Sequence, residues 1–203
     1  PLVSSSAASD VYKRQITDSY LTYDIPSGNV LLWDPNRAVI RSGIYNSGIS
    51  SDDLGMYSIG FGSDVIINSL YGVVLGGRDN QMLFDAKSSV IFSGQDHLVL
   101  DQYSVIAGGY NHELDGEWSV ILGGAANTIT GNYSVILNGS YNNIFGDNNI
   151  SMGYLNIIEG DYNAAVGINH TIDADSSIAI GADITIDYDD VFIYSDGSMP
   201  AIA

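Results

Sequence analysis

Short apolar runs recur along the chain at a nearly constant interval. Three neighbouring runs read Tyr-Ser-Val-Ile-Ala-Gly-Gly at 103–109, Trp-Ser-Val-Ile-Leu-Gly-Gly at 118–124 and Tyr-Ser-Val-Ile-Leu-Asn-Gly at 133–139. β-Branched residues followed by glycine, with no 3.6-residue pattern, are typical of short β-strands rather than of a helix. Successive runs start 14 to 17 residues apart, at Tyr57, Tyr71, Ser88, Tyr103, Trp118, Tyr133, Asn148, Tyr162, Ser176 and Asp190.

A second apolar position lies between these runs and predicts a second strand in each repeat. It is occupied by Ile67, Val99, Leu114, Ile129, Ile144, Ile158, Ile172 and Ile186. Glycine recurs after both strands, and we expect it to supply the positive φ of tight turns. The glycines predicted to form these turns are Gly123, Gly131, Gly146, Gly153, Gly160, Gly167 and Gly181.

The length of the repeat selects the architecture. A repeat of 14 residues, less two turns, leaves two strands of about five residues each. Three-sided β-helices need longer coils, and the nine-residue calcium-binding repeat is too short. The sequence therefore predicts an all-β protein, a two-sided parallel β-roll (a solenoid) of about ten coils with 14–15 residues in each.

The repeat divides the chain into four segments. Residues 57–195 are predicted to form the β-roll, and residues 16–56 an N-terminal cap or degenerate first repeat that includes Arg37–Gly43. Residues 1–15 lack the repeat and are interpreted as a non-native or disordered leader. Residues 196–203 are interpreted as the C-terminal tail of a truncated chain.

The first strand of each repeat is apolar on both of its faces. Because side chains alternate along a strand, Ile106 lies on one face while Val105 and Ala107 lie on the other. Only one face can line the interior of a narrow roll, and the other needs a second surface to cover it. The sequence thus predicts a homo-oligomer whose first strands face one another, with an interface formed by Ile91, Ile106, Ile121 and Ile136.

The chain is strongly acidic. Its 203 residues include 24 Asp+Glu and 6 Lys+Arg, which give a formal net charge of -18, and no Lys or Arg follows Lys87. Nucleic-acid partners are excluded because their affinity depends on clustered cations. The hydrophobic content of 45% is enough to bury a core. No apolar run approaches the ~20 residues of a membrane-spanning helix, so we expect no direct membrane insertion.

The repeat resembles the head repeats of trimeric autotransporter adhesins, the YadA-like head family. The resemblance rests on units of the form Asn/Tyr-Ser-Val-x-x-Gly followed by Asn-x-Ile-x-Gly, over about residues 57–195. The units also look like repeats of phage tail fibres and tailspikes. Either resemblance implies a left-handed roll, a homotrimer, and a location on the cell surface, as an outer-membrane-anchored adhesin, or in a virion fibre. The family favours Ala where Ile106 and its equivalents stand here.

One repeat position holds all three histidines. We interpret it as a position whose side chain hydrogen-bonds the backbone of a turn, which Asn does well and His can imitate. A metal site is the alternative, but it needs converging imidazoles, and only two of the histidines lie on adjacent coils. The position is occupied by Asn80, His97, His112, Asn127, Asn142, Asn156 and His170.

Another repeat position is mostly acidic. Carboxylates stacked on neighbouring strands repel one another, so either solvent screens them or a cation lies between them. The solvated edge is the favoured interpretation, with no metal bound. The alternative is a calcium-binding ladder formed by Asp147, Asp161, Asp175 and Asp189.

Aromatic residues recur at the start of the first strand. They could bind a ligand through flat faces with a polar tip, or pack between subunits, and packing is the favoured interpretation. The candidate ligand-binding residues are Tyr103, Trp118, Tyr133 and Tyr162.

No constellation of catalytic residues is found. The repeated serines have no nearby histidine to act as a base, and no Gly-Lys-Ser/Thr motif follows the paired glycines. We therefore predict no enzyme activity and no cofactor. The predicted function is that of an adhesin head that binds a host surface protein or glycan through several weak contacts. The alternatives are a phage fibre segment that recognises host glycan and a polysaccharide depolymerase.

Overall fold

The computed structural model of the protein describes residues 12–15, 25–197 and 201–202. These residues contain no α-helix, only one turn of 3-10 helix at Ser51–Asp53. In chain order the strands are β1 (Tyr12–Gln15), β2 (Gly28–Asp34), β3 (Val39–Tyr45), β4 (Ile59–Ser63), β5 (Ile66–Ile67), β6 (Val73–Val74), β7 (Gln81–Met82), β8 (Val90–Ile91), β9 (Leu98–Val99), β10 (Val105–Ile106), β11 (Glu113–Leu114), β12 (Val120–Ile121), β13 (Thr128–Ile129), β14 (Val135–Ser140), β15 (Asn143–Ile144), β16 (Ile150–Tyr154), β17 (Ile157–Ile158), β18 (Ala164–Ile168), β19 (Thr171–Ile172), β20 (Ile178–Ala182), β21 (Ile184–Ile186), β22 (Phe192–Ser195) and β23 (Ala201–Ile202).

From β4 onward the strands alternate between two sheets. The first sheet has thirteen strands, β1 to β4 and then the even-numbered strands to β22, and the second has ten, the odd-numbered strands β5 to β23. Equivalent strands of successive coils pair in parallel, so that Val105 lies beside Val120 and Glu113 beside Thr128. This arrangement confirms the predicted all-β, two-sided parallel β-roll of about ten coils.

Most strands of the roll send an apolar side chain into a narrow core between the sheets. The first sheet contributes Val74, Ile91, Ile106, Ile121, Ile136, Ala165 and Ala179, and the second contributes Ile67, Met82, Val99, Leu114, Ile129, Ile144, Ile158, Ile172 and Ile186. All of these side chains are fully buried. Burial of one such aliphatic side chain stabilises a fold by roughly 1.5–3 kcal/mol, so this double column is the main source of stability.

The core corrects the predicted oligomer interface. Ile91, Ile106, Ile121 and Ile136 lie inside the roll and are inaccessible to another subunit while the chain is folded. The physical reason lies in the alternation of side chains along the strand. Ser104 precedes Ile106 by two residues and therefore faces the same way, and both are buried. The outward face of the first strand instead carries Val105 and its neighbours.

The chain turns at two corners in every coil, and both corners require positive φ. At the first corner, before the first-sheet strand, non-glycine residues adopt it, for example Trp118 at 58° and Tyr133 at 54°. At the second corner Gly153, Gly167 and Gly181 have positive φ, as predicted. Gly123 does not, and the adjacent Gly124, with φ of 101°, makes the turn.

The first-corner glycines Gly131, Gly146 and Gly160 are needed for a different reason from the one predicted. The positive φ at this corner belongs to the aromatic position, whereas the glycines allow close contact between coils. A Cβ added to Gly131 would lie 1.8 Å from the carbonyl oxygen of Gly146 on the next coil. These residues must therefore lack a side chain for the coils to stack at the normal strand spacing.

The N-terminal part of the described chain is a β-hairpin joined to the roll. Strands β2 and β3 are antiparallel, and β3 pairs in parallel with β4, with Gly43 beside Gly62 as in a regular coil. Within the segment interpreted as a leader, β1 pairs with β2, and within the segment interpreted as a tail, β23 pairs with β21. Residues 1–11, 16–24, 198–200 and 203 lie outside the described residues.

Two glycine substitutions test the contact between coils. Gly131→Ala is expected to lower the free energy of unfolding by about 2–3 kcal/mol, because its methyl group would overlap the next coil. Gly123→Ala is the control, since the nearest atom, Asn138 Oδ1, is 3.9 Å from the added Cβ. Its expected effect is below about 0.5 kcal/mol. Urea unfolding followed by circular dichroism measures both, and equal losses would contradict the explanation.

Candidate functional site

A column of buried serines connects the coils at the first corner. The Ser119 N–H donates to Ser104 Oγ (3.4 Å), and the Ser104 hydroxyl donates to the Gly116 carbonyl (2.7 Å). Ser134 repeats the pattern, and Asn149 and Asn163 replace it with amide groups. Because these hydroxyls are fully buried and engaged in the ladder, they serve the stacking of the coils.

A second internal ladder runs along the position shared by Asn and His. Asn127 Oδ1 accepts from the Asn142 N–H (3.0 Å). His97 Nδ1 accepts in the same way from the His112 N–H (3.2 Å), and His112 Nδ1 from the Asn127 N–H (3.2 Å). The interpretation of this position as a backbone-bonding one is thus confirmed. His170 Nδ1 also accepts, from the Ile184 N–H (3.4 Å).

His97 and His112 form a buried stacked pair. Their ring centroids are 4.9 Å apart and their planes are within 1° of parallel. The pKa of each imidazole is lowered from 6.5 to about 4, mainly by burial, and at His112 the neighbouring His97 contributes to that decrease. Both Nε2 atoms are buried without a hydrogen-bond partner in the described part of the chain. The pair is therefore neutral at pH 7, with Nδ1 committed to the ladder.

The acidic position forms a third ladder, on the outside of the first corner. Asp161 Oδ1 accepts from the Asp147 N–H (2.7 Å), Asp175 Oδ1 from the Asp161 N–H (2.8 Å) and Asp189 Oδ1 from the Asp175 N–H (2.9 Å). Asn132 makes the same bond to the Glu117 N–H (2.9 Å) without a charge. The position therefore needs an acceptor oxygen. Among the described residues, no group of three or more His, Cys or acidic side chains is placed to hold a metal ion.

The aromatic column stands beside this acidic ladder and is solvent-exposed. Tyr103 and Trp118 stack with centroids 4.3 Å apart, and Tyr57 and Tyr71 with centroids 5.1 Å apart. The rings in each pair therefore cover one another's faces and present their edges outward. Tyr162 has Asn148 and Ser176 at the same position on the adjoining coils, and 66% of its surface is exposed. Of the candidate ligand-binding residues it is the most open.

The outer face of the first sheet is the most extended apolar surface. Two outward positions of each coil, in the first-sheet strand or directly after it, form parallel columns, and neither column contains a polar residue between Ile59 and Ile180. The columns consist of Ile59, Val73, Val90, Val105, Val120, Val135, Ile150, Ala164 and Ile178, and of Phe61, Leu75, Phe92, Ala107, Leu122, Leu137, Met152, Val166 and Ile180. Sequence reasoning identified both columns but placed them inside the roll. Ser104 and Ile106 share one face of the strand, and the burial of Ser104 in the structure places the two columns on the other, outer face.

The outer face of the second sheet has a different character. Its outward positions mix polar with apolar side chains: Gln81, Glu113, Thr128, Asn143 and Thr171 interrupt a column that also contains Ile66, Leu98 and Ile157. The two broad faces of the roll are therefore chemically unlike, and only the face of the first sheet is suited to extended apolar contact.

Comparisons with known proteins do not place the chain in a family. No protein-family model matches it, and the search of curated proteins found no match. Within the described residues there is also no helix of the length and hydropathy needed to span a membrane.

The histidine pair predicts a loss of stability in mild acid. Because the folded pKa is about 4 and the ordinary value 6.5, the unfolded chain binds protons first as pH falls. The stabilisation by the two neutral imidazoles is complete above about pH 6.5 and decreases as the pH falls toward 4. Urea unfolding at pH 7.5, 6 and 5, at one protein concentration, measures this loss.

The matched control is the double variant His97→Asn/His112→Asn. Asn already occupies this position on neighbouring coils and cannot titrate. The variant therefore keeps the hydrogen-bond ladder but loses the pH dependence of stability that imidazole protonation causes. The variant is expected to lose much less stability between pH 7.5 and 5 than the parent. Parallel curves for parent and variant would refute the assignment.

Two substitutions test whether the acidic column hydrogen-bonds the backbone of the preceding coil or binds a cation. Asp161→Asn keeps the acceptor oxygen and is expected to change the free energy of unfolding by less than about 0.5 kcal/mol. Asp161→Ala leaves the Asp147 N–H without its acceptor and should cost about 1–2 kcal/mol. Calcium in place of chelator should leave the melting temperature unchanged. A calcium-dependent rise that Asp161→Asn abolishes would establish the ladder of Asp147, Asp161, Asp175 and Asp189 as a cation site.

Proposed function

We propose that this protein is the head of a surface adhesin, which assembles as a homotrimer and attaches to another cell, matrix or surface. The observation that carries the proposal is the uninterrupted apolar outer face of the first sheet. With a spacing of ~4.8 Å between coils, the nine residues of each column extend for about 38 Å. A contiguous apolar patch of this kind lies at the upper limit of what monomeric proteins leave in water.

A second copy of the chain is the occupant that suits this face. Each copy has a net charge of -18, so two copies repel one another over most of their surfaces. The columns that include Val105, Val120 and Leu122 carry no charge, and their regular spacing lets identical copies align coil against coil. The number three and a left-handed roll come from the resemblance to the YadA-like head repeats.

Attachment would then use the surfaces that remain exposed. Three rigid copies of every column would be held on one shaft, so that individually weak contacts combine. Tyr103, Trp118, Tyr133 and Tyr162 supply aromatic edges and polar tips toward a host surface protein or glycan. This role belongs outside the cell, on the surface of an outer-membrane-anchored adhesin or in a virion fibre.

A phage tail fibre or tailspike segment that recognises host glycan is the second candidate. The open ring of Tyr162 beside Asp161 favours it, because an uncovered aromatic face next to a carboxylate suits a sugar ring with its hydroxyls. Binding to a glycan array that is lost in Tyr162→Ser would support this candidate. Loss of viscosity in a polysaccharide panel would indicate a depolymerase instead.

A pair of charge substitutions tests the assembly. Leu122→Glu places a carboxylate on the apolar face of the first sheet, and it is expected to convert the trimer to monomer in light scattering at micromolar concentration. Thr130→Glu is the control, since Thr130 is exposed beyond β13 in the second sheet. Higher salt should strengthen assembly by screening the repulsion between copies. A monodisperse monomer of the parent chain at all salt concentrations would overturn the proposal.

A further inference from the structure

One coil of the roll is longer than its neighbours. The segment from Tyr71 to Lys87 has 17 residues, whereas the next coils have 15. The strands nevertheless remain in register, with Val73 beside Val90 and Met82 beside Val99. The Leu83 N–H still donates to the Val99 carbonyl (3.0 Å), and the Tyr103 N–H to the Lys87 carbonyl (2.9 Å). The two additional residues are therefore accommodated outside the regular path of the coil.

The additional residues, Phe84 and Asp85, form the tip of a turn at the first corner. The Ala86 N–H donates to the Leu83 carbonyl (3.1 Å), which closes the turn. Ala86 returns to the interior and is fully buried, as Ala174 is on a later coil. Phe84, by contrast, has 66% of its surface exposed, and Leu83 beside it is also exposed. We call residues 83–87 the Phe84 turn.

The Phe84 turn holds its aromatic ring in a defined position. Lys87 Nζ lies 5.3 Å from the centre of the Phe84 ring and 3.7 Å from Asp85 Oδ1. The cation therefore covers one face of the ring and is itself held by the carboxylate of the same turn. The other face and the edge of the ring remain open. Little conformational freedom is lost when such a ring enters a pocket, which favours binding.

The stability of the fold does not explain the two additional residues in this turn. The later coils close the same corner without the two residues, and an exposed phenyl ring gains nothing from burial. In solenoid proteins, insertions in single repeats are placed on one face, which is often the binding face. The turn leads into Ser88, which lies between Tyr71 and Tyr103 in the aromatic column. Both tyrosines are exposed, as Phe84 is.

We propose that the Phe84 turn is the anchor by which this protein binds another protein, whose surface offers an apolar pocket bordered by Lys or Arg. A buried aromatic anchor is the usual centre of such an interface. Leu83 and Phe84 have no hydrogen-bonding groups in their side chains, which disfavours a glycan. Because Lys87 offsets the charge of Asp85, the basic rim is favoured by the nearby Asp101 and by the net charge of -18, which also repels an anionic membrane and a second copy of the same acidic chain. The inference specifies a contact within the proposed attachment role and rests on that role.

A displayed library of random twelve-residue peptides is the probe for this inference. Peptides selected on the full chain are expected to combine aliphatic or aromatic residues with Lys or Arg. Their affinity should fall at least about tenfold when Phe84 and Asp85 are deleted, a change that restores the 15-residue coil, and likewise in Phe84→Ser. Phe145→Ser is the matched control, because Phe145 is an exposed phenylalanine at the same corner four coils later, and it should leave the affinity unchanged.

Two results would overturn the proposal. The first is that selection yields no peptide whose affinity depends on Phe84. The second is that the deletion or Phe84→Ser lowers the mass of the assembly in light scattering, since the turn would then be a contact between copies. A monomeric parent chain whose peptide binding still depends on Phe84 would refute the proposed trimer alone, so the two failures are distinguishable.

Discussion

Stacking of coils in strict register is the constraint on which the rest of this structure depends. Every coil must meet the next at the spacing of a parallel β-ladder, and the short strands supply only a few backbone hydrogen bonds of their own. Internal side-chain ladders complete the pairing at the corners, where Ser104 and Asn127 accept from the backbone of an adjoining coil. A buried N–H without an acceptor is costly, so the residue types at these positions are narrowly limited.

The same constraint explains why residues of one chemical type occupy equivalent positions on successive coils and so form columns. An acidic side chain that bonds the backbone of the preceding coil is useful on every coil, so Asp161 and Asp175 stack despite their like charges. A histidine can replace asparagine because Nδ1 provides the acceptor. In His97 and His112 the second nitrogen has no partner within the described residues, whereas Nε2 of His170 contacts the Val166 carbonyl (3.3 Å). In a repeat of this kind, the positions that depart from a column carry the information about function. The Phe84 turn and the uncovered ring of Tyr162 are such departures.

The architecture could be read from the sequence because repeat length and β-alternation are local properties. The interval of 14 to 17 residues was sufficient for two strands, two corners and about ten coils. The role of the Asn/His position was also accessible, because only a shared hydrogen-bonding task unites those two residue types. The need for glycine at Gly131 was harder to predict from the sequence. Close contact at Gly131 depends on a neighbouring coil that the local sequence does not describe.

What the sequence by itself determined was the period, the strands, the corners and the existence of two apolar faces on the first strand. Only the tertiary structure decided which face lies inside. Both faces are apolar, so hydrophobicity cannot distinguish them, and Ile106 is as suited to an interface as to a core. The inner face is set at the first corner, where Ser104 must be buried to hydrogen-bond the next coil. Because side chains alternate along the strand, Ile106 then lies on the same inner face as Ser104. Val105 and Leu122 are left on the outside, where a second copy of the chain could cover them.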